Sequence, residues 1–246
     1  MTKIKLTLAF IAMLFGANLF AQSSDTTPAK AKIQNYYEIS VGAKTGEFMD
    51  ALSANHLWSL GKNKKFKAGL GLRLTNYFGT NQAYITAPAI LTSGRTDPGV
   101  LFSETIEANL DTLTFSKAQS NSINLSIHLQ YTIFKKFDLG FNIDAIGFSF
   151  GGSKNGIFKS SIAPAGTAIS QKAKPTSFNY LLVSDNDKGT LNSELFLRFW
   201  IKENMGIKIG LGFLFTEYTT VNKLTFNNSR FRNKSAMPVV GYCFTL

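Results

Sequence analysis

Apolar and polar residues alternate one by one along eight stretches of this chain. That rhythm predicts strands near 36–46, 52–60, 66–78, 121–134, 137–150, 189–201, 206–218 and 235–246. In the third, Phe66, Ala68, Leu70, Leu72 and Leu74 form one stripe, and Lys67, Gly69, Gly71, Arg73 and Thr75 the other. In the fourth, Ile123, Leu125, Ile127, Leu129, Tyr131 and Ile133 oppose Asn124, Ser126, His128, Gln130 and Thr132. Successive side chains of a strand point to opposite faces, so each predicted strand has a greasy and a polar side.

The connections sort by position. Those at 61–65, 135–136 and 202–205 are short, and 79–120 and 151–188 are long. The stretch 219–234 is intermediate and 47–51 brief. An up-and-down barrel with both termini at one end puts the three tight turns on that side and the other four connections opposite. Membrane barrels of bacteria have this asymmetry of short periplasmic turns and longer external loops. The expected fold is therefore all-β: an eight-stranded antiparallel up-and-down transmembrane β-barrel over 35–246.

A soluble lipocalin-like carrier shares the alternation. Three features favour the membrane form. The strands are long enough to span when tilted. The polar stripe is rich in Gly, Ser, Thr and Asn, which suits a crowded lumen. Aromatics gather near strand ends: Tyr36, Tyr37, Tyr131, Phe134, Phe137, Phe199, Trp200, Tyr242 and Phe244 on the turn side, and Tyr77, Phe78, Phe148, Phe150, Phe215 and Tyr218 on the loop side. Two such belts match the two interfaces of a bilayer.

At the start, Lys3 and Lys5 precede an apolar run from Leu6 to Phe20 and then Ala21-Gln22-Ser23. A basic start, a short greasy centre and a small residue before polar sequence make a secretory signal peptide over 1–21, cleaved near Ala21. Residues 22–34 read as a flexible leader. No later run reaches the roughly 20 apolar residues of a membrane helix, so a spanning form must be a closed sheet.

The chain holds 26 Lys+Arg against 15 Asp+Glu. Secretion and scattered charge argue against nucleic acid and for outer-membrane lipid and lipopolysaccharide as anionic neighbours. One cysteine, Cys243, allows no internal disulfide and reads as a buried, inert thiol. With two histidines set well apart, no metal site or cofactor is expected.

The last strand, Val239-Val240-Gly241-Tyr242-Cys243-Phe244-Thr245-Leu246, resembles the C-terminal signal read by the barrel assembly machinery, with Gly241, Phe244 and Leu246 at its marked positions. The chain as a whole resembles the eight-stranded outer-membrane barrels of the OmpA transmembrane-domain and OmpX type. Its Lys-rich turns leading into Gly-rich strands, as in Asn63-Lys64-Lys65-Phe66-Lys67-Ala68-Gly69-Leu70-Gly71, are similar to Bacteroidetes members of that class. The resemblance implies a monomer in the bacterial outer membrane. It implies no activity, because one fold hosts many functions.

Eight strands leave an interior just wide enough for side chains. The inward charges are expected to be Glu38, Lys67, Arg73, His128, Asp138, Asp144, Glu194, Arg198 and Lys208, paired as a network that seals the lumen. His128 falls opposite Asn142 or Asp144 and is expected to pair with a carboxylate. Its neighbour Ser126, two residues away on the strand and so about 6.5–7 Å off, reads as beyond hydrogen-bond reach. Phe196, Trp200, Leu214, Met237 and Val239 interrupt the polar stripe, as ordinary plugging or as a small apolar pocket. His56, followed by Trp58 rather than a serine, departs from the pattern of barrels that trim lipid acyl chains.

Among the loops, 79–120 is acidic, and Leu110-Asp111-Thr112-Leu113-Thr114-Phe115 suggests a hairpin rising above the membrane. Lys223, Arg230, Arg232 and Lys234 are candidate contacts for lipopolysaccharide phosphates. The expected function is non-enzymatic: envelope integrity, or surface interaction through the external loops. Alternatives are a narrow transporter or binder of small apolar compounds, a lipid-modifying barrel enzyme, or the soluble carrier.

Overall fold

The computed structural model describes residues 33–164 and 166–245. The expected signal peptide, most of the leader and Leu246 lie outside the described residues.

Five strands come first: β1 (Ile33–Lys44), β2 (Glu47–Leu60), β3 (Phe66–Thr86), β4 (Thr112–Phe134) and β5 (Phe137–Phe150). The stretch expected as one long loop contains three more, β6 (Lys154–Lys159), β7 (Ile169–Pro175) and β8 (Phe178–Tyr180). β9 (Leu191–Lys202), β10 (Met205–Thr220) and β11 (Arg230–Phe244) complete the chain.

Eight of these form a closed antiparallel barrel. β1 to β5 pair in sequence, β5 pairs with β9, β9 with β10 and β10 with β11. β11 returns to β1 with Tyr37 opposite Phe244 and Gly42 opposite Val239. The connection expected over 47–51 is shorter still. β2 begins at Glu47, because Gly46 takes the left-handed φ of +74° that a tight turn requires.

The two faces are inverted relative to a soluble protein. Leu72 is 57% exposed, whereas Arg198 is fully buried. Ile39, Leu52, Ile123, Leu125, Leu195, Ile209 and Leu211 all point outward and are exposed. An apolar face this continuous is costly in water and favourable against hydrocarbon. Of the aromatic residues near strand ends, Tyr37, Tyr131, Phe134, Phe137, Phe199 and Tyr242 are exposed on the turn side. Tyr36, Trp200, Tyr77 and Tyr218 are buried in the lumen instead, since alternation sends each to the face opposite its exposed neighbours.

Above the eight-stranded part the wall continues with a different set of strands. β3 and β4 stay paired as far as Ile85 opposite Thr112. There β4 pairs with β6, β6 with β7, β7 with β10, and β11 crosses above the β1–β2 hairpin to pair directly with β3. The result is a closed collar of six strands, β3-β4-β6-β7-β10-β11. The connections expected over 79–120, 151–188 and 219–234 are thus partly strand.

Candidate functional site

The lumen holds two layers. The lower one is ionic. Lys208 Nζ donates to Glu38 and, at 2.7 Å, to Glu194 Oε2. Arg198 donates to Glu38 Oε2 at 3.2 Å and to Gln130 Oε1 at 3.0 Å, and its guanidinium lies 4.1 Å from the Tyr36 ring centroid. Arg73 donates to Asp144 Oδ1 at 2.6 Å and to Asn142 Oδ1 at 2.8 Å, with Glu194 3.5 Å away. Asp138 accepts from Gln130 and Trp200, each at 2.6 Å, and from Thr132 at 2.7 Å. Lys67 stands 3.9 Å from Asp138 and donates to Gln34 at 2.8 Å. The Cys243 thiol is buried and donates to Glu38 Oε2 at 3.2 Å. Pairing of this density offsets the cost of burying charges, which is large for any one left alone.

The upper layer is apolar and fills the collar. Tyr77, Tyr84, Leu113, Phe115, Phe158, Tyr218 and Phe231 pack there with Met49, Leu214, Met237 and Val239 from the strands below. The Tyr84, Phe115 and Tyr218 rings are mutually 4.5–5.2 Å apart. The collar turns three residues of the interrupted stripe, Leu214, Met237 and Val239, into a plug. Phe196 and Trp200 lie lower, beside Arg198.

His128 differs from expectation. It sits opposite Asn142, but its ring nitrogens reach hydroxyls and not a carboxylate: Ser126 Oγ at 2.9 Å and Tyr36 Oη at 3.5 Å. Strand spacing separates the backbones of residues 126 and 128, yet the imidazole bridges the gap because Gly71 faces Ser126 on β3. A Cβ on Gly71 would lie 2.7 Å from His128 Nε2 and 2.3 Å from Asn55 Oδ1. The pair is walled in beneath the plug. His56 lies on the outer face, its ring 4.6 Å from Trp58. At the C-terminal strand, Gly241 faces Lys208 in the lumen and the Phe244 ring stacks on Tyr37 at 5.4 Å.

Outside the wall is a second polar cluster that alternation alone does not reveal. Glu217 continues the outward stripe of Phe213 and Phe215, and Arg232 is its cross-strand partner. Both are buried. Arg232 donates to Glu217 Oε2 at 2.9 Å, Arg230 to Glu217 Oε1 at 2.8 Å, and both arginines to the Asp187 carbonyl. Residues 181–189 form a strap over these groups, joined by a salt bridge from Lys234 to Asp185. Thr92 and Asn186 tie it to the 87–111 excursion. Burial pushes the Asp187 carboxyl up to about 6, outweighing the hydrogen bond from the Leu182 amide and the pull of Arg232.

The expectation that Arg232 reaches out to lipopolysaccharide is corrected accordingly. Arg232 is covered and spent on Glu217, Arg230 is half-buried on the same carboxylate, and Lys234 is paired. Lys223 is exposed. The signal for this cluster was a lone acid, Glu217, in a greasy stripe.

No family model matches the chain, and no curated protein matches it. Among solved structures it is similar to Neisserial surface protein A, at 9% identity over 89% of this chain and all of that one, with a TM-score of 0.38. It is also similar to Ail, the attachment invasion locus protein of Yersinia pestis, at 10% identity over 88% and 100%, TM-score 0.32. The Ralstonia pickettii toluene transporter TbuX follows at 9% over 82% and 70%, TM-score 0.24. The barrel assignment stands on the strand pairing of the chain itself.

Proposed function

We propose that this chain is a non-enzymatic barrel of the bacterial outer membrane that serves envelope integrity or surface interaction through its outer end. The observation that carries this reading is the doubly plugged lumen beneath a built collar. A path for solute meets the ion-paired layer and then a packed aromatic one. The outer end, by contrast, holds three extra strands and a strap, more structure than closing the barrel needs. The exposed apolar wall supports placement in a membrane, and the burial of Ser126 and His128 among lumen side chains supports a role without catalysis.

Two measurements test it. In planar bilayers the refolded chain is expected to give no unitary current steps, and a steady open channel would overturn the sealed lumen. In cells lacking the gene, resistance to detergents is expected to return with the full chain and not with one whose 87–111 excursion is cut to a short turn. Lipid A mass spectra should be unchanged by either; a new acylation state would replace this reading with an enzymatic one.

A further inference from the structure

The turn-side mouth of the barrel is a basin of about 1120 Å³, and its charge is one-sided. Lys64 and Lys65 come from the β2–β3 turn, Lys135 and Lys136 from the β4–β5 turn, Lys202 from the β9–β10 turn, and Lys67 from the wall. Against these six, Asp138 and Glu203 are the acids among the described residues of the lining. Asp138 lies deepest, 3.9 Å from Lys67, so the five turn lysines face Glu203 as their acid in the lining. The turn lysines are exposed. Three separate turns place like charges around one opening, and a concave mouth lined by one sign of charge raises the local concentration of anions.

We infer that this mouth binds a soluble multivalent anion, a chain bearing several carboxylates or phosphates, from the aqueous compartment into which the turns project. Three features set that chemistry. The basin has no arginine, so it lacks the planar fork that reads one carboxylate or phosphate bidentately; lysines act as separate point charges and suit charge spread along a ligand. Asn63, Thr132 and Asn204 add neutral polar groups to the lining. The basin lies over the lumen, inside the ring of outward aromatics Tyr131, Phe134, Phe137, Phe199 and Tyr242. Lipid headgroups gather outside such a ring, so the occupant is a soluble species and not the bilayer.

Trp200 lines the floor of the basin and reports on it. Trp58 is the other tryptophan and faces outward, so W58F leaves a single reporter. The W58F chain in nanodiscs of zwitterionic lipid is titrated with tripolyphosphate and with oligoglutamate. A saturable change in Trp200 emission is expected for both. It should weaken at least tenfold as ionic strength rises from about 0.01 M to about 1 M, where the screening length falls from about 30 Å to about 3 Å. The quadruple variant K64Q/K65Q/K135Q/K136Q should bind at least tenfold more weakly, while K223Q at the opposite end should bind as before. Heat-dependent mobility on gels checks that each variant is folded. Absence of saturable binding, or affinity unchanged in the quadruple variant, overturns the inference. So does association only with vesicles of anionic lipid, which would make the lysines a headgroup contact. None of these outcomes depends on the role of the collar.

Discussion

Glu217 Oε2 accepts a hydrogen bond from Arg232 at 2.9 Å on the outer face of the barrel wall, under the 181–189 strap. Arg230 shares the same carboxylate, so Glu217 joins two guanidiniums that the strap covers, with Asp185 of the strap 3.6 Å from Arg232. The strap is fastened from below by ions and has few apolar anchors. Leu182 and Val183 are exposed.

Glu217→Gln therefore takes from two cations under the strap the carboxylate they share. Removing one member of a buried pair costs about 3–5 kcal/mol. The cost here is expected to appear as release of the strap, because the barrel below does not depend on it. Limited proteolysis should cut within 181–189 at least tenfold faster while boiled and unboiled mobilities stay distinct. Equal cleavage rates would show that the strap is held by something else.

Asp187 gives the same strap a pH dependence. Its carboxyl is raised from about 3.8 to about 6, so between those values the docked form holds more proton than the undocked form. Docking thus weakens as pH rises through this window and levels off above it. Hydrogen exchange of 181–189, corrected for intrinsic rates, is expected to be faster at pH 7 than at pH 5, with the difference lost in Asp187→Asn. A flat profile in the unaltered chain would contradict this.

Most of the eight long strands were legible because period two persists over ten or more residues, as in Ile123 to Ile133, whereas β2, expected over 52–60, begins five residues earlier at Glu47. The inward placing of the eight charged groups and of His128 followed from the same parity. The collar was not legible. β6 and β7 are six and seven residues long and rich in lysine, and they become strands only because β4 and β10 offer free edges above the point where β5 and β9 turn away. Arg232 was misread for a related reason. Alternation correctly sends it outward, but only the tertiary path of 181–189 buries it. At His128 strand spacing differs from side-chain spacing, because the missing side chain of Gly71 frees the imidazole to lie along its own strand.

Glu38 is the lumen group with the most at stake, since Lys208, Arg198 and Cys243 all donate to it. Glu38→Gln keeps the shape and removes the charge. Urea unfolding in vesicles is expected to show a loss of about 3–5 kcal/mol. Lys223→Gln, on the exposed outer loop, should fall within about 0.5 kcal/mol of the parent. Near-equal losses in the two variants would mean that the lumen network contributes little.

Gly71 and His128 should be coupled. Gly71→Ala forces the ring of His128 and the amide of Asn55 to move, at about 1–3 kcal/mol. Combining it with His128→Ala is expected to recover part of that, with a coupling of at least about 0.5 kcal/mol in the double-mutant cycle. Strict additivity would place the clash elsewhere.

The most direct measurement is the mobility of the full chain in SDS, unheated and boiled, taken from a washed outer-membrane fraction. A closed barrel with its ion-paired interior intact is expected to stay folded in cold detergent and to shift on boiling. Recovery in the soluble fraction with no shift would contradict the membrane barrel itself.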